Sequence, residues 1–96
     1  SDLKNTHQLP IENRDQQKEL QKVKKQFEQL EEKIARTTEE KKQLEANLAL
    51  PEIYSDNQKF IEAEKKYNQK LEQLYIANAE YEKLFEKMMM MEEKEE

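Results

Sequence analysis

Two clusters of lysine are the clearest candidates for chemistry in this sequence. The first cluster comprises Lys18, Lys22, Lys24 and Lys25, and the second comprises Lys59, Lys65, Lys66 and Lys70. Ammonium groups gathered in this way can contact the phosphates of a nucleic-acid backbone. The same lysines can instead lie on solvated helix faces, balanced by glutamates of the same or a neighbouring helix. Charge alone favours this second interpretation for the first cluster.

Catalytic and metal sites are not expected. The chain has no cysteine and one histidine, His7, so it offers no thiol nucleophile and no cysteine zinc site. The glutamates are expected on solvent faces rather than in the desolvated pocket that acid–base catalysis requires. We therefore expect no enzyme and no cofactor site in this chain. Among the aromatic residues, only Tyr75 is left open as a platform for stacking on a base.

Composition restricts the fold to long helices. Of the 96 residues, 41% are charged and 34% are apolar, and the chain has no glycine and only two prolines. Folds with many tight turns need glycine, and a thick core needs more apolar residues. The net charge of -5 is not the strong positive balance of an autonomous nucleic-acid binder. No apolar run approaches the roughly 20 residues that span a bilayer.

Apolar spacing predicts a first helix over about residues 14–48. Apolar side chains recur in alternating steps of three and four, which is the heptad pattern of a coiled coil. The a positions of this heptad are Leu20, Phe27, Ile34, Lys41 and Leu48, and the d positions are Val23, Leu30, Thr37 and Leu44.

A second heptad predicts a returning helix over about residues 56–90. Its d positions are Phe60, Tyr67, Leu74, Tyr81 and Met88, and its a positions are Glu64, Leu71, Asn78 and Phe85. Residues 1–12 show no period and are expected to form a flexible lead-in. Residues 91–96 are expected to form a disordered acidic tail.

The segment 49–55 is predicted to be the turn. Pro51 should end the first helix, because its ring disfavours helical geometry at the preceding residue, and it suits the start of a short 3₁₀ or helical turn. Asp56 is expected to cap the second helix, with Ser55 and Gln58 as a competing capping box. Ile53 and Tyr54 are expected to fold back as an apolar plug over the end of the molecule.

The two heptads together predict an all-α fold, an antiparallel two-helix coiled-coil hairpin over residues 13–90. Pairing residues whose numbers add to 108 brings an a position opposite a d position in each layer, and it pairs Phe27 with Tyr81. The same pairing makes Lys41 and Glu64 diagonal neighbours that can neutralise each other. We expect this hairpin to be a monomer.

The sequence resembles one known family. Glu19-Leu20, Val23, Phe27 and Leu30-Glu31 precede a turn with the sequence Leu-Ala-Leu-Pro-Glu-Ile-Tyr-Ser-Asp at residues 48–56. Over about residues 14–88, this is similar to the C-terminal coiled-coil domain of ABC-F proteins of the Uup type. That family has a Leu-x-x-Pro-x-x-Tyr-x-Asp turn. The chain departs from the family at residues 13–16, and it has Tyr81 where the family often has Trp.

The resemblance implies an appended arm of a cytoplasmic ATPase that has two tandem nucleotide-binding domains and no membrane spans. ATP and Mg²⁺ would belong to those domains, because this chain lacks a glycine-rich phosphate loop. The implied partners are the ATPase cassettes of the parent chain and a nucleic acid or the ribosome. The alternative is a protein-interaction or spacer coiled coil that binds no nucleic acid. The chain does not begin with Met, and we expect it to be part of a longer protein.

Overall fold

The computed structural model is a helical hairpin. It describes the backbone of residues 11–95 and the side chains of residues 14–93. Its helices are α1 (Ile11–Leu48), α2 (Pro51–Tyr54) and α3 (Asn57–Glu95), and none of the described residues forms a strand. Tyr67 contacts Glu45 near the turn, and Lys87 contacts Glu19 far from it, so α1 and α3 are antiparallel. The all-α prediction is confirmed.

A single turn of α-helix, α2, joins the two long helices. Leu50 has the extended backbone (φ -77°, ψ 132°) expected before a proline, and Pro51 begins α2. The N–H groups of Tyr54 and Ser55 donate to the carbonyls of Leu50 and Pro51 at 3.0 Å. These bonds span four residues, so α2 is a helical turn and the 3₁₀ alternative is not confirmed.

Asp56 caps α3 as predicted. Its Oδ1 accepts hydrogen bonds from the N–H groups of Gln58 and Lys59, both at 3.1 Å. The hydroxyl of Ser55 donates instead to the carbonyl of Pro51, so Ser55 does not cap α3. The predicted plug is wrong for Tyr54, which is 55% exposed, whereas Ile53 is half-buried.

The packing seam of α1 is the predicted one. Leu20, Val23, Leu30 and Thr37 are buried, and the remaining a and d positions are half-buried. The rings of Phe27 and Tyr81 lie 4.5 Å apart between centroids. The contact confirms the predicted alignment of these two residues.

The seam of α3 differs from the predicted one by one row. The d positions are half-buried as expected, but their partners in the seam are Ala63, Lys70, Ala77, Leu84 and Met91. The predicted a positions face solvent, with Leu71 40% and Phe85 45% exposed. Either row alternates with the d positions in steps of three and four. Because Ala63 and Ala77 are small, α3 can pack closely against the bulky leucines of α1. Side chains as large as Leu71 and Phe85 would prevent this close packing.

Because the seam of α3 is shifted by one row, the polar residues within the core differ from the predicted pair. Lys41 and Glu64 form no ion pair: Lys41 Nζ lies 3.6 Å from Glu45 Oε1 instead, and Glu64 is exposed. The predicted pair is therefore wrong. Thr37, Lys41 and Lys70 form the polar layers instead, and they lie in the half of the hairpin nearer the turn.

Both long helices extend further than predicted at the open end of the hairpin. α3 continues to Glu95, so the disordered tail is wrong for residues 91–95. The seam row continues through Met91, which is half-buried and lies beside Asp15, Gln16 and Glu19 of α1. Ile11 and Glu12 are helical rather than part of a lead-in, and residues 1–10, with His7, lie outside the described residues. Within residues 11–95, no helix combines the length and the apolar character that crossing a bilayer requires.

Candidate nucleic-acid interface

Two grooves between the long helices open on the same side of the hairpin. The groove nearer the turn is lined by Glu40, Gln43, Leu44, Asn47, Lys66, Gln69, Lys70 and Gln73. The second groove is lined by Gln26, Gln29, Leu30, Lys33, Glu80 and Leu84. The α1 residues of one groove lie two heptads from those of the other, as Gln29 does from Gln43, so the grooves lie in line along one side of α1. We call this side the amide face, because glutamine and asparagine supply most of its polar groups.

Heptad spacing extends the amide face in both directions. Lys59 lies seven residues before Lys66, and Lys22 lies seven residues before Gln29. Residues seven apart in a coiled coil share a face, and both of these lysines are exposed. Four of the eight lysines predicted to contact nucleic acid therefore lie on the amide face, namely Lys22, Lys59, Lys66 and Lys70.

The other four predicted lysines point elsewhere. Lys18 and Lys25 are one heptad apart on the outer surface of α1, and Lys65 lies on the outer surface of α3. Lys24 flanks the seam on the side opposite the amide face, where its Nζ is 3.5 Å from Glu92 Oε1. The fold thus divides the first cluster among three surfaces. Consecutive lysines in a sequence do not form a patch on a helix, because neighbours are 100° apart.

Ion pairs offset two of the carboxylates beside the amide face. Lys70 Nζ lies 2.9 Å from Glu40 Oε2, and Lys87 Nζ lies 3.3 Å from Glu19 Oε1. Glu80 also lines the face. Among the residues that the structure describes, Lys22, Lys33, Lys59 and Lys66 form no ion pair. Their ammonium groups remain available to an external anion.

The glutamines are the part of this site that the lysine clusters did not indicate. Side-chain amides and lysines supply many of the contacts that proteins make to phosphate and sugar. The signal was present in the sequence as glutamine at recurring heptad positions of α1, where Gln26 and Gln29 precede Gln43. These glutamines of α1 form a site only when Gln69 and Gln73 of α3 lie across the groove from them. Placing those residues there requires the correct seam of α3.

The opposite side of the hairpin has a different character. Tyr75 is 78% exposed there, which agrees with its predicted place outside the seam, and Leu71 and Phe85 are exposed beside it. The turn residues Pro51, Ile53, Tyr54 and Asp56 shape the end of the hairpin. No protein-family model, curated protein or solved structure matches this chain.

Proposed function

We propose that this hairpin is an accessory arm that contacts nucleic acid, alone or on the ribosome, through the amide face. The observation that carries the proposal is the gathering of unpaired lysines and side-chain amides on one side, with two of the neighbouring carboxylates held in ion pairs. Such a surface binds phosphate and sugar without base specificity. The arm has no chemical step of its own.

The net charge of -5 limits how such an arm binds. Long-range attraction to a polyanion is absent, so binding depends on the local patch. Lys59 and Lys66 are separated by about 10 Å of helix rise, and Lys33 lies on the facing helix. Three or four phosphate contacts are the number this face supports, and affinity in isolation should be weak.

The parent protein we propose is a cytoplasmic ABC-F-type ATPase. The resemblance rests on the turn, and the hairpin gives the turn residues clear tasks: Pro51 starts α2 and Asp56 caps α3. ATP and Mg²⁺ would be bound by the cassettes of the parent chain, since this chain contains no glycine for a phosphate loop. The second candidate is a protein-interaction arm, which the exposed apolar side around Tyr75 favours.

Replacing Lys33, Lys59 and Lys66 with glutamine should weaken binding to ribosomal RNA and to duplex DNA. For the unchanged chain, affinity should fall by roughly one to two decades between 50 and 200 mM salt, as expected for three or four neutralised phosphates. The triple variant should bind more weakly at low salt, and its salt slope should fall by about two to three units. Fluorescence anisotropy with labelled duplex DNA, single strands and ribosomal RNA measures both quantities.

The matched control replaces Lys18, Lys25 and Lys65 with glutamine; these lysines are also exposed but lie on the outer surfaces. It removes the same three charges and should retain most of the affinity. Equal weakening by both triple variants would mean that net charge, not the amide face, governs binding. If none of the three nucleic acids binds at low salt, the protein-interaction function replaces this proposal.

A further inference from the structure

A stripe of exposed apolar side chains runs along α3 on the side opposite the amide face. Tyr75 is 78%, Phe85 45%, Met89 41% and Leu71 40% exposed. These residues occupy the two adjacent heptad rows of α3 outside the seam, with exposed Asn68, Asn78 and Glu82 and half-buried Glu92 between them. We call these eight residues the α3 stripe. Phe85 also packs against Phe27, with ring centroids 6.2 Å apart, so the stripe is continuous with the core.

The stripe is complementary to itself in the antiparallel sense. Residues whose numbers add to 160 match in every pair: Leu71 with Met89, Tyr75 with Phe85, Asn78 with Glu82, and Asn68 with Glu92. Apolar residues meet apolar residues, and each asparagine amide can donate to a carboxylate. In a two-fold dimer, residue i contacts j and j contacts i. The stripe therefore satisfies the requirement that a two-fold interface places on a sequence.

We propose that a second copy of this chain covers the α3 stripe, with the two α3 helices antiparallel about a two-fold axis level with residue 80. A parallel pairing would place Glu82 against Glu82 and Glu92 against Glu92, and like charges in direct contact repel. A second copy carries the same spacing in the reverse direction, which makes it the partner that the spacing of the stripe favours.

The stripe has the area that a weak dimer needs. Four aromatic and four aliphatic side chains from two copies amount to roughly 900 Å² of apolar surface. With the asparagine–glutamate contacts around them, the interface reaches the lower end of the range of about 1,200–2,000 Å² for specific complexes. We expect dissociation constants in the micromolar range, so that the chain is monomeric when dilute and dimeric when concentrated. The amide face stays open in this dimer.

Sedimentation equilibrium across a concentration series tests the dimer directly. Changing Tyr75 and Met89 together to glutamine should weaken dimerisation at least tenfold, because Phe85 and Leu71 of the other copy each lose their apolar partner. Ile76 and Met90 provide the matched control: each is the next residue along, they are 58% and 61% exposed, and they lie outside the stripe. Their change to glutamine should leave the dimerisation constant within twofold.

The substitution Asn78→Lys tests the orientation of the helices. In the antiparallel dimer it creates two Lys–Glu pairs across the interface and should strengthen association about two- to tenfold. In a parallel dimer it places lysine against lysine and weakens association. The proposal is overturned if the unchanged chain stays monomeric at several hundred micromolar, if the control pair weakens association equally, or if Asn78→Lys weakens it.

Discussion

Lysine at position 70 shows how one residue links the core to the candidate interface. Its side chain is 25% exposed and lies in the seam of α3, while its ammonium group reaches Glu40 on α1 at 2.9 Å. The aliphatic stem covers the core and the charged group remains at the edge of the amide face. An ion pair this open to solvent contributes about 0–1 kcal/mol, which is less than an apolar side chain would contribute here.

Substitution Lys70→Met should therefore stabilise the hairpin. Methionine keeps the length of the stem and adds buried apolar surface, for a net gain of about 0.5–1 kcal/mol. The melting temperature followed by circular dichroism should rise by about 2–6 °C. Lys66→Met, on the exposed part of the same face, should change it little. A fall in melting temperature for Lys70→Met would show that the pair with Glu40 holds the polar layer together.

At the scale of the elements, the turn was predictable because its chemistry is local. Pro51 at the start of a helix and Asp56 at an N-cap act on the two or three residues beside them, so both effects can be read directly from the sequence. The row of α3 was not predictable in the same way. Leucine and phenylalanine are usually core residues, so the pattern favoured Leu71 and Phe85 over Ala63 and Ala77. The choice depends on the distance between the helices, which no local pattern contains.

The hydrogen bonds that Asp56 accepts at the start of α3 should contribute measurably to the stability of the hairpin. Asp56→Ala removes the acceptor for the N–H groups of Gln58 and Lys59 and should cost about 1 kcal/mol, within the usual range of about 0.5–2 kcal/mol. Asp56→Asn keeps an acceptor oxygen and should remain close to the unchanged chain. Urea unfolding at fixed protein concentration compares the two. Equal loss in both variants would show that the charge of Asp56, rather than its hydrogen bonds, stabilises the start of α3.

At the scale of the whole molecule, the hairpin is elongated, and its core is a series of packing layers along its length. Its extents are 78 × 16 × 16 Å, so each layer of the seam packs only against its neighbours and the partner helix. The general architecture followed from two heptads and one proline. The division of the surface into an amide face and an apolar stripe did not, because a shift of one row in α3 exchanges which residues face solvent. The lysines were visible in the sequence, whereas their gathering with Gln69 and Gln73 was a property of the assembled hairpin.

The close approach of the two helices should depend on the small residues in the seam of α3. Ala77 is 4% exposed and lies level with Leu30, so Ala77→Leu inserts a bulky side chain where none fits. Overpacking of this kind costs about 1–3 kcal/mol, which should lower the melting temperature by roughly 5–20 °C. Ala46→Leu adds the same atoms on the exposed surface of α1 and should have little effect. If Ala77→Leu instead raised stability, the helices would be far enough apart at this level to accept a leucine, and small residues would not explain why this row of α3 packs in the seam.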